Sequence, residues 1–162
     1  METLLNLVRT NGDWVVATAR IVLGVVLFAH GAQKLLGWYG GPGLRNTLQT
    51  LTSYVKLPRA LAVLVVLLEF FGGLALIVGF FSRLAALGIL AVMLGAIATV
   101  HYAHGLFMNW AGEKKGHGFE YHLLAIALAL VVIIKGGGAF SLDHAIYEHQ
   151  LFSRAAITHT QD

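Results

Sequence analysis

The sequence predicts an all-α protein: a bundle of four transmembrane helices with a short interfacial amphipathic helix between spans 1 and 2. Three observations predict it. Hydrophobic residues make up 57% of the 162 positions and charged residues 12%, where a soluble domain carries about 25% charged residues. Mean hydropathy is +0.75, more apolar surface than a soluble fold this short could bury. Four apolar runs each extend over roughly 17–25 residues, the length of a helix that crosses a bilayer. Helix is required, because lipid cannot satisfy open backbone groups.

The first run covers residues 13–36 and contains ARIVLGVVLFAHGAQKLL. Its flank holds only Arg9 against Glu2 and Asp13, and its apolar part is too long for a cleaved signal peptide. Residues 37–58 follow as a loop. Within it Leu44, Leu48, Leu51 and Val55 recur at helical spacing between Gly41-Pro42-Gly43 and Pro58. This predicts the short amphipathic helix, lying in the interface or capping the bundle. The second run covers 59–81 and the third 84–104. The connection at Ser82 is so short that these two must form an antiparallel hairpin. A polar, glycine-rich loop over 105–118 leads to the fourth run, 119–135. The expected membrane domain is 1–147, and 148–162 is expected as a polar, disordered tail.

Aromatic residues mark the expected membrane edges: Trp14 at one side, and Trp38, Tyr39, Tyr102, Trp110 and Tyr121 at the other. Small residues at Gly72-Gly73 and in the row Ala91, Gly95, Thr99 predict close approach of helices, and with it self-association. Lys and Arg divide evenly between the two sides, with Lys114 and Lys115 on one and Arg154 on the other, so charge does not set orientation. The net charge is +3, yet the cations lie scattered at run edges with no basic stripe, which excludes nucleic acid as a partner. The chain has no cysteine. Thiol chemistry, cysteine-held clusters and attached c-type haem are thereby excluded.

Several ionisable groups fall inside the runs. Glu69 lies near mid-membrane, where a carboxylate costs at least about 3 kcal/mol unless it is protonated, paired or hydrated. His30 and Lys34 share a helix face near the loop end of span 1. His101 and His104 end span 3, and Glu120 and His122 begin span 4, at the same level. Arg20 sits near the opposite end of span 1. A Glu69 ion pair with Lys34 or Arg20 would serve helix register alone. His101, His104, Glu120 and His122 are the candidate metal ligands, and paired histidines could hold haem b. A quinone head group suits the set better. It needs hydrogen-bond donors to its carbonyls, a proton carrier, and an apolar path for its tail; His30 and Glu69 supply the proton chemistry.

The ordered series Arg20-x3-Gly24, HGAQKL with His30 and Lys34, LLEFFGGLALIVGFFSR with Glu69 and Arg83, GFEYHLLAIALAL with Glu120, and GGGAFSLD over residues 136–143 resembles the DoxX family, related to DoxD-like proteins. The family's usual Gly-Pro-Gly before the last motif is Gly136-Gly137-Gly138 here. The resemblance implies a four-helix bacterial or archaeal inner-membrane protein with cytoplasmic termini. It implies links to respiratory and sulfur redox chemistry, as in the DoxD-like subunits of thiosulfate:quinone oxidoreductase. The family's recurrent polar residues fall on Arg20, His30, Lys34, Glu69, Arg83 and Glu120.

The expected function is a membrane subunit of a quinone-linked redox system. Glu69 and His30 would act in catalysis, and Arg20, Lys34, His101 and Glu120 would hold the head group. The alternative is a non-enzymatic anchor that recruits a soluble oxidoreductase, with the polar residues only locking helices together. A solute transporter is disfavoured, because no proline interrupts a span.

Overall fold

A computed structural model describes the backbone of residues 2–112 and 115–159, and the side chains of 5–112 and 115–151. Lys114 and the side chain of Arg154, counted above in the charge distribution, lie outside the described residues. Among the described residues seven α-helices follow one another: α1 (Glu2–Val8), α2 (Trp14–Leu36), α3 (Gly43–Ser53), α4 (Arg59–Val78), α5 (Ser82–His104), α6 (Glu120–Lys135) and α7 (Leu142–His159). No strand occurs among the described residues.

Three helices, α2, α4 and α5, are long and apolar enough to cross a membrane. The expected fourth, α6, has 16 residues, about 24 Å at helical rise and shorter than the three others. Its length is set at both ends. Phe119 and Glu120 donate backbone hydrogen bonds to Gly105 and Leu106, and Gly136 stops it at φ 90°. The last helix departs from expectation more clearly. α7 runs through the expected boundary at residue 148 and is helical to His159, so residues 148–159 of the expected tail continue a helix.

α2 packs against α4 and α6, and α5 packs against the same two, closing a ring in the order α2–α4–α5–α6. Its interior holds Leu23, Leu27, Leu76, Ile89, Met93, Ala129 and Val132. Large apolar side chains such as Val22, Val25, Leu64, Leu87 and Leu124 point outward and stay exposed, as a lipid-facing surface requires. Since lipid is as apolar as these side chains, helix association must come from close packing and polar contacts. The α2–α4 crossing shows the first. A Cβ built at Gly24 would lie 2.8 Å from the Ile77 nitrogen, and those at Gly31 and Gly73 would enter the backbones of Phe70 and Phe28. The row Ala91, Gly95, Thr99 behaves otherwise: nothing lies within 4 Å of a Cβ at Gly95, so this row faces space and not a helix.

Polar contacts close the end of the bundle nearest the termini. Arg20, fully buried, donates from Nε to Gly137, from Nη1 to Leu76 and Ile77, and from Nη2 to Ala139 and Phe140, at 2.5–3.2 Å. All five of its N–H groups are used. Leu76 and Ile77 carry orphan carbonyls in the last turn of α4, where a cation is favourable. Arg83 does the same for α6, donating to Ile133 and Ile134, and also to Arg9. Asp143 accepts from the nitrogens of Phe81 and Ser82, 2.8 Å each, and so caps the start of α5. Asp13 accepts from Val15 and Val16 and caps α2. The α4–α5 turn fits this lock because Gly79 takes φ +71°; a side chain there would be strained and would collide with Ser141 and Arg20.

Candidate functional site

The opposite end of the bundle holds the other ionisable groups. Lys34 lies in the last turn of α2, and its carbonyl accepts from Thr47 of α3 at 3.2 Å. That bond, with the α3–α4 packing, makes α3 a cap on the bundle. The Lys34 Nζ stands 2.6 Å from both Oε1 and Oε2 of Glu69. Glu69 is nearly fully enclosed, while Lys34 is 33% exposed in its side chain. The ion pair removes the cost of a lone carboxylate in lipid. It also realises the register-fixing pair considered from sequence, with Lys34 and not Arg20 as the partner.

Glu69 sits in a π-helical turn, Leu68–Gly72, inside α4. A second π-turn, Ile97–His101, lies in α5 and ends on His101. Such turns insert a residue into a helix and redirect side chains, often at working sites. Here they flank a cleft of about 350 Å³ between α4 and α5, roofed by Leu51 of α3 and by Val55 just beyond it. Leu64, Val65 and Leu68 line one wall, and Ala91, Gly95 and Thr99 the other. Lys34, Glu69 and His101 form its polar end. Leu61 and Leu64 at its rim are exposed, so the cleft opens sideways toward lipid.

His101 Nδ1 lies 2.9 Å from the His117 carbonyl. A carbonyl only accepts, so Nδ1 carries the hydrogen, and in neutral His101 Nε2 is the acceptor. The His101 ring rests on that of His122, centroids 4.1 Å apart. His122 is buried, and its Nδ1 has no partner among the described residues. The Tyr121 hydroxyl is likewise buried without one, with its ring 5.3 Å from His122 and 5.7 Å from His30. Lys34 and His30 are in electrostatic range of His122, and Glu69 of Tyr121.

The sequence-predicted residues therefore divide. Lys34, Glu69 and His101 meet at the cleft. His30 is on the exposed face of α2 against Tyr121 and does not line the cleft. Glu120 turns to the 105–118 loop, accepting from the Met108 nitrogen at 2.9 Å and Trp110 Nε1 at 3.3 Å. Arg20 is at the far end, about 21 Å along α2 from Lys34, with no donor left for a head group. His104 packs against Gly116. Among the described residues no group of three or more His, Asp or Glu forms a metal site, so the four metal candidates do not converge. The contact between the His101 and His122 rings leaves no gap for haem between them.

Sequence reasoning passed over Tyr121, placed in the aromatic belt, and His117, assigned nothing. Tyr121 had one available signal: it follows Glu120 and precedes His122, so a helix must turn one of the three inward. The role of the His117 carbonyl is a loop contact with no sequence signature.

The DoxX family's sequence profile matches residues 15–102. The chain is 30% identical over 131 residues to "Inner membrane protein YqjF" of Escherichia coli (strain K12), covering 81% of this chain and 91% of that protein. It is 26% identical over 129 residues to "Putative oxidoreductase CatD" of Bacillus subtilis (strain 168), covering 80% of this chain and 84% of that one. No solved structure matches the chain.

Proposed function

The chain belongs to the DoxX family of membrane proteins, and from that premise we propose that it is the membrane subunit of a redox system, exchanging electrons and protons with a quinone. In this reading α6 is a fourth span, the protein resides in the bacterial inner membrane, and both termini face the cytoplasm. The observation that carries the reading is the cleft between α4 and α5: apolar along its length, open toward lipid, and ending on Lys34, Glu69 and His101. Its volume is within the range of small-molecule sites.

A quinone supplies two-electron chemistry when bound. Lys34 Nζ donates to a carbonyl at the end of the cleft. His101 Nε2 accepts or returns a proton, its tautomer held by the His117 carbonyl. Glu69 takes up a proton when its ion pair with Lys34 loosens, and the buried Tyr121 and His122 lie beside it as the next polar groups. Electrons pass to or from a soluble oxidoreductase partner. The name of the Bacillus subtilis relative agrees with a redox role.

The test is quinone in the lipid extract of purified protein, together with binding of added quinone. Wild-type protein is expected to retain quinone and a folded Glu69→Gln protein to lose it. If neither form binds quinone, the reading fails. One observation favours the second reading, an anchor for a soluble partner: Glu69 is already neutralised by Lys34. That reading expects Glu69→Gln to lower stability while partner recruitment follows the 105–118 loop.

A further inference from the structure

At the termini end of the bundle, a second cavity of about 230 Å³ opens between the α1–α2 connection, the start of α5 and the end of α6. Arg9, Arg83 and Lys135 line it, with Asn11 and Tyr147. No acidic residue is among its lining. Arg9 and Arg83 repel one another electrostatically. Asp143 is near Arg83, but both its oxygens already accept from Phe81 and Ser82. Neither ion pair found among the described residues, Lys34–Glu69 and His144–Glu148, involves these cations. Arg83 also keeps a buried Nε without a partner, although Nη1 and Nη2 hold carbonyls of α6 and of Arg9. Exposed Trp14, at the start of α2, marks this level as the membrane boundary.

We propose that this cavity is a binding site for a phosphate-bearing anion, held by Arg9, Arg83 and Lys135. Arg9 and Lys135 are exposed and Arg83 half-buried, so three cations share one solvent-facing cavity with no carboxylate in its lining, and an anion entering it would relieve their repulsion. A phosphate offers negative charge and several acceptor oxygens, which arginine and lysine bind well. At the bilayer surface the nearest source is the head group of an anionic phospholipid, toward which each basic residue contributes attraction. A free phosphate is the other source, and the two are separable. The site is independent of the cleft and of its proposed quinone.

The full chain in detergent is titrated with phosphatidylglycerol, with phosphatidylcholine and with inorganic phosphate, and bound species are counted by native mass spectrometry. Preference for phosphatidylglycerol over phosphatidylcholine by about ten-fold, abolished in the double variant Arg9→Gln/Lys135→Gln, identifies a lipid site. Binding of inorganic phosphate that competes with phosphatidylglycerol and is lost in the same variant identifies a soluble anion. Neither Arg9 nor Lys135 makes a side-chain hydrogen bond among the described residues, so the double variant is expected to melt like wild type. The pair Arg45→Gln/Arg59→Gln, on the opposite face, is expected to change nothing. Equal binding of both lipids with no binding of phosphate overturns the proposal. So does a lipid preference that survives in a folded Arg9→Gln/Lys135→Gln protein.

Discussion

Lys34 places its Nζ 2.6 Å from both carboxylate oxygens of Glu69, joining the last turn of α2 to the π-turn of α4. The pair stabilises the bundle only as a pair. Lys34→Met leaves an enclosed carboxylate uncompensated and is expected to cost about 3 kcal/mol. Lys34→Met/Glu69→Leu is expected to recover most of that loss, since both charges are gone. Thermal unfolding in detergent checks the order: double variant close to wild type, single Lys34 variant well below.

Arg20 is expected to be the most sensitive position at the other end. Replacing it by Lys keeps the charge but loses the planar fork that reaches five carbonyls. Leu76, Gly137 and Ala139 are buried, so their freed carbonyls are left without a donor. Arg20→Lys is expected to lower stability by about 2–4 kcal/mol, read as a fall in the unfolding midpoint, without altering ligand affinity at the cleft some 21 Å away.

Glycines of identical chemistry are expected to differ by place. Gly24→Ala and Gly31→Ala push α2 off α4 and are expected to cost about 1–3 kcal/mol each. Gly95→Ala meets open space and is expected to be neutral or slightly stabilising, because alanine is the better helix former. Unfolding midpoints of the three variants, measured side by side, check the contrast.

Glu120 separates a loop anchor from a ligand-binding group. Glu120→Ala removes the acceptor of the Met108 amide, a bond to a charged group worth about 1.5–3 kcal/mol. Hydrogen exchange at Met108 is expected to quicken about ten-fold or more, while quinone binding stays as in wild type. Unchanged exchange would contradict the anchoring role.

Length and composition made the helical membrane fold legible, because lipid imposes one rule on every backbone group. The direction of each run also put Lys34 and His101 at one end with Glu69 expected deeper, near mid-membrane; in the structure the three line one cleft. What stayed hidden was rotation about each helix axis. Spacing put His30 and Lys34 on one face, but only the π-turns and the α2–α4 crossing decide that Lys34 meets Glu69 while His30 turns to Tyr121. Arg20 had the look of a charge awaiting a ligand; its real partners are backbone carbonyls, which leave no pattern in side-chain identity. The row Ala91, Gly95, Thr99 has the spacing of a helix contact and instead forms the wall of a cleft, since a missing side chain admits a helix or a cavity equally. Glu120, expected at a head group, meets a loop nitrogen for a similar reason: backbone partners leave no pattern in side-chain identity.

The proposed activity rests on that cleft holding a quinone head against Lys34, Glu69 and His101. The direct measurement is calorimetric titration of a short-tailed ubiquinone analogue into wild-type protein and into Gly95→Leu, which fills the cleft without touching the ion pair. The account predicts saturable binding to wild type, weakened at least about ten-fold in Gly95→Leu, a loss of roughly 1.4 kcal/mol, with the variant still folded. Equal binding to both proteins, or no saturable binding to either, would contradict it.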